Sequence, residues 1–344
     1  MTTREIFNQV YMAANRSDAH SKWLTDAADV CDQDIMVCLD GSGKPVASLM
    51  ALPYQFAYQD AMLDAVAIKY LSTRPEARAR GAASHLIVDT LAAARSRGKT
   101  LCVLVPPRRH LFFYFDRFSF ATVFYADELR YTASHVFDGS CGDIIEPTAQ
   151  MLASLEKKFG CGIVHSAADF ARIRDELSTI PNSRILGATD GVGDAILVAT
   201  TSDDNVAVHL LLADTEPLAM KVLSELRRLE PHKTFVVDTP PLSGDKNFLR
   251  SRGMARIVDP LPMLKAMAAK HKGLHHIIKI TDGLLSENTG FYLVADGDCE
   301  KYDCCDTRAD LEVSIETFTS LVFSKRNVGE IFNLPTCRPY LSII

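Results

Sequence analysis

The sequence predicts a mixed protein, part α/β and part α+β, and three observations support that prediction. Its 344 residues, 47% hydrophobic and 23% charged, are typical of a globular chain that divides into units of about 100–150 residues. Apolar strands alternate with amphipathic helices through the first part, and a similar order returns later. Residues 256–344 differ, because short strands alternate there with terminal helices, as in a small α+β module.

The clearest element is a strand, helix and strand unit in the first third of the chain. Residues 64–71 are predicted to form a strand, which Arg74 and Pro75 end. Residues 83–94 carry an apolar stripe at helical spacing, Arg95 and Arg97 fall in the last turn, and Gly98 follows as a C-terminal cap. Residues 101–105 are all apolar, which favours a strand buried between neighbours. Together they predict a βαβ unit.

A second unit with the same order follows. Its predicted strands and helix cover residues 195–200, 207–212, 217–229 and 234–237. Residues 248–254 also echo the aromatic segment at 114–120. We interpret this as a divergent duplication, with chance recurrence of a common motif as the alternative.

Charge and hydropathy exclude several classes of protein. The 37 Lys and Arg against 43 Asp and Glu give a net charge of -6, and dedicated nucleic-acid binding needs clustered cations instead. No window approaches the roughly 18 consecutive apolar residues of a membrane helix, and the start of the sequence lacks an apolar secretory segment. We expect a cytoplasmic protein with no nucleic-acid or membrane partner.

The cysteines predict neither a metal site nor a disulfide framework. There are nine, an odd number, scattered along the chain, and without a secretory segment they are expected to be reduced thiols. Cys299, Cys304 and Cys305 cluster but lack a second pair at zinc spacing.

A segment between the first unit's strand and helix carries the sharpest functional signal. It consists of Arg78, Ala79, Arg80, Gly81, Ala82, Ala83 and Ser84. A helix start leaves amide N–H groups unpaired and carries partial positive charge, which suits a pyrophosphate. Gly81 admits close approach of the backbone, and Arg78 or Arg80 can meet phosphate directly. The segment is neither a Walker loop nor a three-glycine fingerprint, and an ordinary helix start with solvated arginines is the alternative.

The motif Arg78-x-x-Gly81-x-Ala83, followed by the segment FYFDRFSF at residues 113–120, resembles the GNAT superfamily of acetyl-CoA-dependent N-acyltransferases. The family pattern is Arg/Gln-x-x-Gly-x-Gly/Ala and then Phe-Tyr-x-x-x-Gly-Phe/Tyr. Ser119 stands where the family usually has glycine, and serine fits there if the backbone angle is ordinary.

The resemblance implies that acetyl-CoA is the co-substrate and that no metal is needed. The loop from Arg78 to Ser84 would then cradle the pyrophosphate. Tyr70, Leu71 and Ser72 would offer backbone groups to the pantetheine arm and the acetyl carbonyl, although they also fit plain strand positions.

Over its whole length the chain is similar to the enhanced-intracellular-survival (Eis) subfamily. That similarity implies a catalytic GNAT domain at residues 1–140, a degenerate second GNAT domain at 141–255 and a sterol-carrier-like domain at 256–344. Softer matches at residues 254–259, 310–314 and 338–344 support the later parts. Eis-like proteins associate, so a homo-oligomer is also implied.

Direct transfer of acetyl to a primary amine follows from this resemblance. Tyr114 holds the position of the general acid that protonates the leaving thiolate, and a phenol carries its proton at neutral pH. The alternative for Tyr114 is an aromatic that fills a core. The terminal carboxylate of Ile344 is implied as the general base, which requires burial to raise its pKa; a hydrophobic tail docked for stability is the alternative.

The acceptor amine is not specified by the sequence. Acidic residues at 296–312 suit a cationic acceptor or a solvated hairpin. Trp23 lies where the family often builds its acceptor pocket, although burial alone would explain it. A non-catalytic CoA- or lipid-binding protein on the same scaffold is the competing hypothesis for the whole chain.

Overall fold

A computed structural model describes residues 2–15, 19–26, 31–240, 249–304, 306–323 and 339–341. The chain divides into two compact units, one formed by residues 1–124 and 252–339 and the other by residues 125–251 and 340–344. The division into three domains at residues 140 and 255 stays a prediction.

The first unit contains the predicted βαβ unit near its centre. Its N-terminal elements are α1 (Thr3–Ala14), α2 (Ala19–Asp26), β1 (Ile35–Leu39), β2 (Pro45–Tyr58), β3 (Ala61–Thr73), α3 (Ala82–Ser96), β4 (Leu101–Leu104) and α4 (Arg109–Asp116). Strand β5 (Ala121–Tyr131) begins in this unit and ends in the second, and β12 (Leu249–Ile257) begins in the second and ends in the first.

One sheet of the first unit has the order β1-β2-β3-β4-β12. Strands β1, β2 and β3 form an antiparallel meander, β4 runs parallel to β3, and β12 runs antiparallel to β4. Helix α3 makes the β3–β4 crossover, and its buried face carries Leu86, Ile87 and Leu91. The helix ends as predicted, since Gly98 has a φ of 71° and Lys99 N–H donates to Ala94.

The first unit also holds the C-terminal α+β part. It consists of α8 (Pro260–Lys270), β13 (His276–Thr281), β14 (Gly290–Ala295), β15 (Asp298–Tyr302), β16 (Leu311–Ser314) and α9 (Ile315–Val322). The four strands form a second sheet in the order β15-β14-β13-β16, in which β13 and β16 are parallel. The acidic segment at 296–312 begins at the β14–β15 hairpin turn, where Asp296 and Gly297 have positive φ, and continues through β15.

The second unit repeats the connection of the first. Its further elements are β6 (Asp143–Ile145), α5 (Ala149–Phe159), β7 (Cys161–Val164), α6 (Ala167–Ser178), β8 (Ser183–Thr189), β9 (Asp194–Thr201), β10 (Asn205–Ala213), α7 (Glu216–Leu229) and β11 (Thr234–Thr239). The order along its sheet is β5-β11-β10-β9-β8-β6. The antiparallel strands β9 and β10 are followed by α7 and then by β11, which is parallel to β10. Strands β2 and β3, helix α3 and strand β4 follow the same order in the first unit.

The two segments that echo each other in residue type differ in backbone, since 249–254 lies in strand β12 and Tyr114 lies in helix α4. One expectation from the sequence was wrong. Cys161 is disulfide-bonded, although all cysteines were expected to be reduced. A disulfide depends on which Cβ atoms the fold brings together, and spacing along the chain does not reveal that. Among the described cysteines the free thiols are Cys31, Cys38, Cys102, Cys141, Cys299 and Cys304.

None of the described helices is both long and apolar enough to cross a bilayer.

Candidate active site

Strand β3 of the first unit runs beyond its parallel ladder with β4. The ladder stops at the pair Ile68 and Leu104, yet β3 continues to Thr73 along β2. The register between β2 and β3 shifts in this stretch, and Tyr70 has a φ of 55°. Backbone groups of this end of β3 therefore have no β4 partner in the ladder, which suits binding of an extended ligand.

A cavity of about 400 Å³ opens beside that end of β3. Its walls come from the end of β3, the loop before α3, the first turn of α3, and α4. The lining residues are Thr73, Ala77, Arg78, Ala79, Gly81, Ala82, Ala83, Ser84, Tyr114 and Arg117.

The backbone of the loop is shaped by two left-handed residues. Ala79 has a φ of 59° and Gly81, the residue before α3, a φ of 85°. A left-handed residue followed by a helical one turns successive N–H groups to one side, which makes an anion-binding concavity. Gly81 has no side chain to cap the first turn of α3, so its amides and the positive end of the helix dipole remain available to an anion.

Arginines add formal charge to this helix start. Arg78 donates to the carbonyl oxygens of Thr73 at 3.3 Å and Ala14 at 3.4 Å, which anchors its side chain across the cavity wall. Arg117, from the turn after α4, lines the same cavity. Two guanidinium groups beside a helix N-terminus favour a phosphate-bearing ligand.

Tyr114 faces the start of α3 from α4. Its hydroxyl lies 3.3 Å from the hydroxyl of Ser84. Its ring packs edge-to-face on Phe115 and Phe118, at centroid distances of 5.3 and 5.4 Å. The ring is therefore held by the apolar core while the phenolic oxygen reaches the cavity, an arrangement that permits proton donation to a bound ligand.

Ser119 does not have the ordinary backbone angle expected for a serine at this position. Its φ is 59°, in the left-handed region, where a residue with a Cβ costs about 1–2 kcal/mol relative to glycine. The turn after α4 closes with N–H groups of Phe118 and Ser119 donating to Phe115 and Asp116, both at 2.9 Å. The chain thus keeps the backbone shape of the glycine pattern with a strained serine.

The structure brings together most of the predicted cofactor residues. Arg78, Ala79, Gly81, Ala82, Ala83 and Ser84 line one cavity with Tyr114. The other predicted residues, Tyr70, Leu71, Ser72 and Arg80, are not among its lining residues. Ile344 lies outside the described residues.

Ser72 has a structural contact, and three residues that were not predicted line the cavity. Ser72 is buried, and its hydroxyl accepts a hydrogen bond from Asn15 at 3.1 Å, so its side chain joins α1 to β3. Sequence reasoning missed Thr73, Ala77 and Arg117 as lining residues. Arg117 lies within the recognised aromatic segment, so its charge three residues after Tyr114 was the available signal.

A group of aromatic rings lies where α1 and α2 contact β3. Tyr70 contacts Tyr11 edge-to-face at 6.2 Å and His20 at 6.0 Å. Trp23, half-buried, stacks on His20 at 5.8 Å. The ammonium of Lys69 lies 5.0 Å from the centre of the Tyr70 ring, which shows that this ring accepts a cation.

The β3–α3–β4 unit, the glycine-containing helix start and the helix that carries Tyr114 belong to a GNAT-type mixed α/β fold. Residues 2–121 match the family model described as "Acetyltransferase (GNAT) domain". The match covers the part of the chain that contains the Arg78 motif and confirms the resemblance seen there. GNAT domains use acetyl-CoA.

Solved structures share the fold along the whole chain. Eis1 from Mycobacterium abscessus is 12% identical with a TM-score of 0.72, covering 98% of this chain and 96% of its own. A GCN5-related N-acetyltransferase from Kribbella flavida is 18% identical with a TM-score of 0.74, covering 99% and 96%. A probable N-acyltransferase of unknown function from Enterococcus faecalis V583 is 13% identical with a TM-score of 0.78, covering 100% and 98%. No match was found among curated proteins.

Metal-ligating side chains do not gather in the part of the chain that the structure describes. No group of three or more His, Cys, Asp or Glu side chains is arranged there to hold an ion.

Proposed function

We propose that the protein is an N-acetyltransferase that moves the acetyl group of acetyl-CoA directly to a primary amine. The observation that carries this proposal is the 3.3 Å contact between Tyr114 and Ser84 at the mouth of an anion-binding helix start. This contact places Tyr114, which is suited to proton donation, beside the first turn of α3, which is suited to bind the phosphates of the cofactor.

In this proposal the amides at the start of α3 bind the pyrophosphate of acetyl-CoA. Arg78 and Arg117 neutralise further phosphate charge, because both line the cavity. The pantetheine arm would follow the end of β3 at Tyr70, Leu71 and Ser72, where the ladder with β4 has ended. The acetyl carbonyl would then lie near the end of the β3–β4 ladder.

The reaction removes two protons from the acceptor nitrogen and delivers one to sulfur. A base takes the first proton from the ammonium form of the acceptor, since a free amine is almost wholly protonated at neutral pH. The amine nitrogen attacks the thioester carbonyl carbon and gives up its second proton to solvent, and the C–S bond of the tetrahedral intermediate breaks. Tyr114 donates its proton to the leaving sulfur and regains one from solvent, so that CoA and the N-acetylated amine are released.

The base is assigned to the carboxylate of Ile344, following the Eis-like resemblance. Pro339, Tyr340 and Leu341 support this because all three are buried. Tyr340 N–H donates to Cys161 at 3.0 Å, and Tyr340 forms a parallel bridge with Gly162. A segment held this way is docked and does not behave as a frayed terminus.

We assign the later parts of the chain by the same resemblance. The β9, β10, α7 and β11 connection supports a degenerate GNAT domain, and the four-stranded sheet with α8 and α9 supports a sterol-carrier-like domain. The aromatic group around Tyr70 supports an acceptor that is a cation before it reacts, because rings attract ammonium groups.

Calorimetric titration with acetyl-CoA tests the binding half of this proposal. We expect micromolar binding to the parent. Binding should weaken about ten- to a hundredfold in the Arg78→Ala, Arg80→Ala double variant and in Arg117→Ala, since charged hydrogen bonds contribute about 1.5–3 kcal/mol. Arg97→Ala, at the far end of α3, is the matched control and should bind like the parent. A folded parent that does not bind acetyl-CoA refutes the proposal.

Turnover separates an enzyme from the non-catalytic CoA- or lipid-binding alternative. Tyr114→Phe and removal of Ile343 and Ile344 should each lower kcat by about 10²–10⁴ with acetyl-CoA affinity retained. Unchanged turnover in both variants contradicts the assigned acid and base. A parent that binds acetyl-CoA yet acetylates no polyamine, aminoglycoside or lysine peptide supports the binding-protein alternative.

A further inference from the structure

A fully buried arginine connects the C-terminal α+β part to the helix that carries Tyr114. We propose that Arg256, held by Asp282, is a positioning residue that sets the turn after α4 and thereby the direction of the Tyr114 phenol. This inference rests on the proposed function, since it assigns the pair a part in placing the general acid.

The geometry of the pair is that of a clamp. Both side chains are completely buried, and Nη2 of Arg256 lies 2.7 Å from each carboxylate oxygen of Asp282. Nη1 of the same guanidinium donates to the carbonyl oxygen of Phe118 at 2.8 Å. One planar group therefore spans a carboxylate on one side and the backbone after α4 on the other, which a lysine ammonium could not reproduce.

Asp282 is fixed independently of Arg256. Its carboxylate accepts hydrogen bonds from the N–H groups of Leu284 and Leu285, both at 3.0 Å, and from Nδ2 of Asn288 at 2.8 Å. Asn288 also donates to the carbonyl of Val258 at 3.1 Å. Because its anchor is already ordered, the guanidinium has a defined position from which to hold Phe118.

The clamp reaches Tyr114 through a single residue. The ring of Phe118 lies 5.4 Å from the ring of Tyr114 and edge-on to it. The N–H of Phe118 donates to Phe115 in the last turn of α4 at 2.9 Å. Any shift of the peptide after Phe118 therefore moves the Phe118 ring, which packs against Tyr114. It also moves the end of α4, the helix that carries Tyr114.

The turn that is clamped is also the strained one. Arg256 holds the carbonyl of the peptide that joins Phe118 to Ser119, and Ser119 has a φ of 59°. Strained conformations persist where the surroundings over-determine them, and they cluster at functional sites. A buried ion pair is poor evidence for stability by itself, so its contact with this turn gives it a role beyond holding two modules together.

Steady-state kinetics of Arg256→Lys tests the inference, with acetyl-CoA affinity measured beside it. Lysine keeps the charge for Asp282 but cannot also hold Phe118 with fork geometry. We expect kcat to fall about ten- to a hundredfold, as for a misplaced catalytic group, with the Kd for acetyl-CoA within about twofold. Hydrogen exchange of the amides at 109–120 should quicken in the same variant.

The matched control is Tyr292→Phe, which removes a buried hydrogen bond at 2.8 Å to the carbonyl of Asn288 without touching Phe118. It should keep kcat and the slow exchange of residues 109–120 at a similar cost in Tm. An equal fall in kcat in the control, or parental kcat and exchange in Arg256→Lys, overturns the inference.

Failure of the proposed function gives a different result. A parent that acetylates no amine refutes the enzyme, while quickened exchange at 109–120 in Arg256→Lys alone would still support the clamp.

Discussion

The hydroxyl groups of Ser84 and Tyr114 lie 3.3 Å apart and join the first turn of α3 to α4. Ser84 belongs to the turn whose amides are suited to bind phosphate, and Tyr114 is the proposed acid. Cofactor binding and placement of the acid therefore share one residue. A phenol anchored to the phosphate-binding turn would keep its distance to the thioester sulfur whenever the cofactor is bound.

Ser84→Ala should lower turnover without weakening acetyl-CoA binding, because the amide of residue 84 remains while the hydroxyl is lost. One hydrogen bond contributes about 0.5–1.5 kcal/mol, so kcat should fall about two- to tenfold. Ser96→Ala is the control, since Ser96 donates to Ala93 at the opposite end of α3. Steady-state kinetics and titration check both variants, and a loss of affinity without a change in kcat would contradict the expectation.

Gly81→Ala should reduce both stability and acetyl-CoA affinity. The backbone of Gly81 has a φ of 85°, and a Cβ there would enter the space beside the helix start without meeting protein closer than His85 at 3.9 Å. The control is Gly98→Ala at the other end of α3, because Gly98 has a φ of 71° and open space around it. Both variants should unfold about 1 kcal/mol more easily. Only Gly81→Ala should bind acetyl-CoA more weakly, and equal affinities would argue against the phosphate cradle.

Ser119→Gly should stabilise the protein, because glycine adopts a φ of 59° without steric cost. The gain is expected to be about 1 kcal/mol after the larger unfolded-state entropy of glycine is subtracted. Asn182 has the same φ of 59° but is a residue type that tolerates the left-handed region, so Asn182→Gly should change stability less. Thermal unfolding of both variants measures the difference, and an equal or smaller gain for Ser119→Gly would disprove strain at this turn.

Gly162→Ala should release the segment at 339–341. A Cβ on Gly162 would lie 2.3 Å from the carbonyl oxygen of Tyr340, and the φ of Gly162 is 153°. If Ile344 supplies the base, turnover should fall by more than tenfold. Digestion of the chain end by carboxypeptidase, measured separately, should become faster. Ile163→Ala, in the same strand and also buried, is the destabilised control that leaves the carbonyl of Tyr340 unobstructed. Full turnover with an accessible end would exclude Ile344 as the base.

The stability contribution of Glu316 should depend on pH. Burial, and then the nearby Asp116 carboxyl, raise the pKa of Glu316. The native protein therefore holds this proton more tightly than the unfolded chain, so the contribution is present at acidic pH and is lost as pH rises through the folded-state pKa. Glu316→Gln should raise Tm at pH 7 and have little effect on Tm near pH 4. The control Glu287→Gln changes an exposed residue and should leave Tm unchanged at both pH values. A gain that is equal at both pH values would contradict the raised pKa.

Much of the fold could be predicted from local pattern. The stripe at Leu86, Ile87 and Leu91 and the cap at Gly98 located α3 closely, since helix periodicity and end signals are local properties. Strand β3 was predicted as residues 64–71 but extends over Ala61–Thr73. Its ends are specified by pairing with β2, which no window of sequence contains.

The site was predictable only where residues are close in sequence. The loop from Arg78 to Ser84 was found as a unit, and the family pattern added Tyr114. The roles of Arg256 and Asp282 were not predicted, because Arg256 contacts Phe118, 138 positions away, and Asp282, 26 positions away. The left-handed φ of Ser119 was also missed, since a serine gives no sign of the angle that its surroundings impose.

The separation between Phe118 and Arg256 bears on how the protein matures during synthesis. A nascent chain that has emerged as far as residue 240 contains all the residues that line the cavity, yet it lacks β12, the neighbour of β4. It also lacks the guanidinium that holds the turn after α4. Because chains fold progressively during synthesis, the cavity would leave the ribosome before β12 but become competent only after β12 has followed.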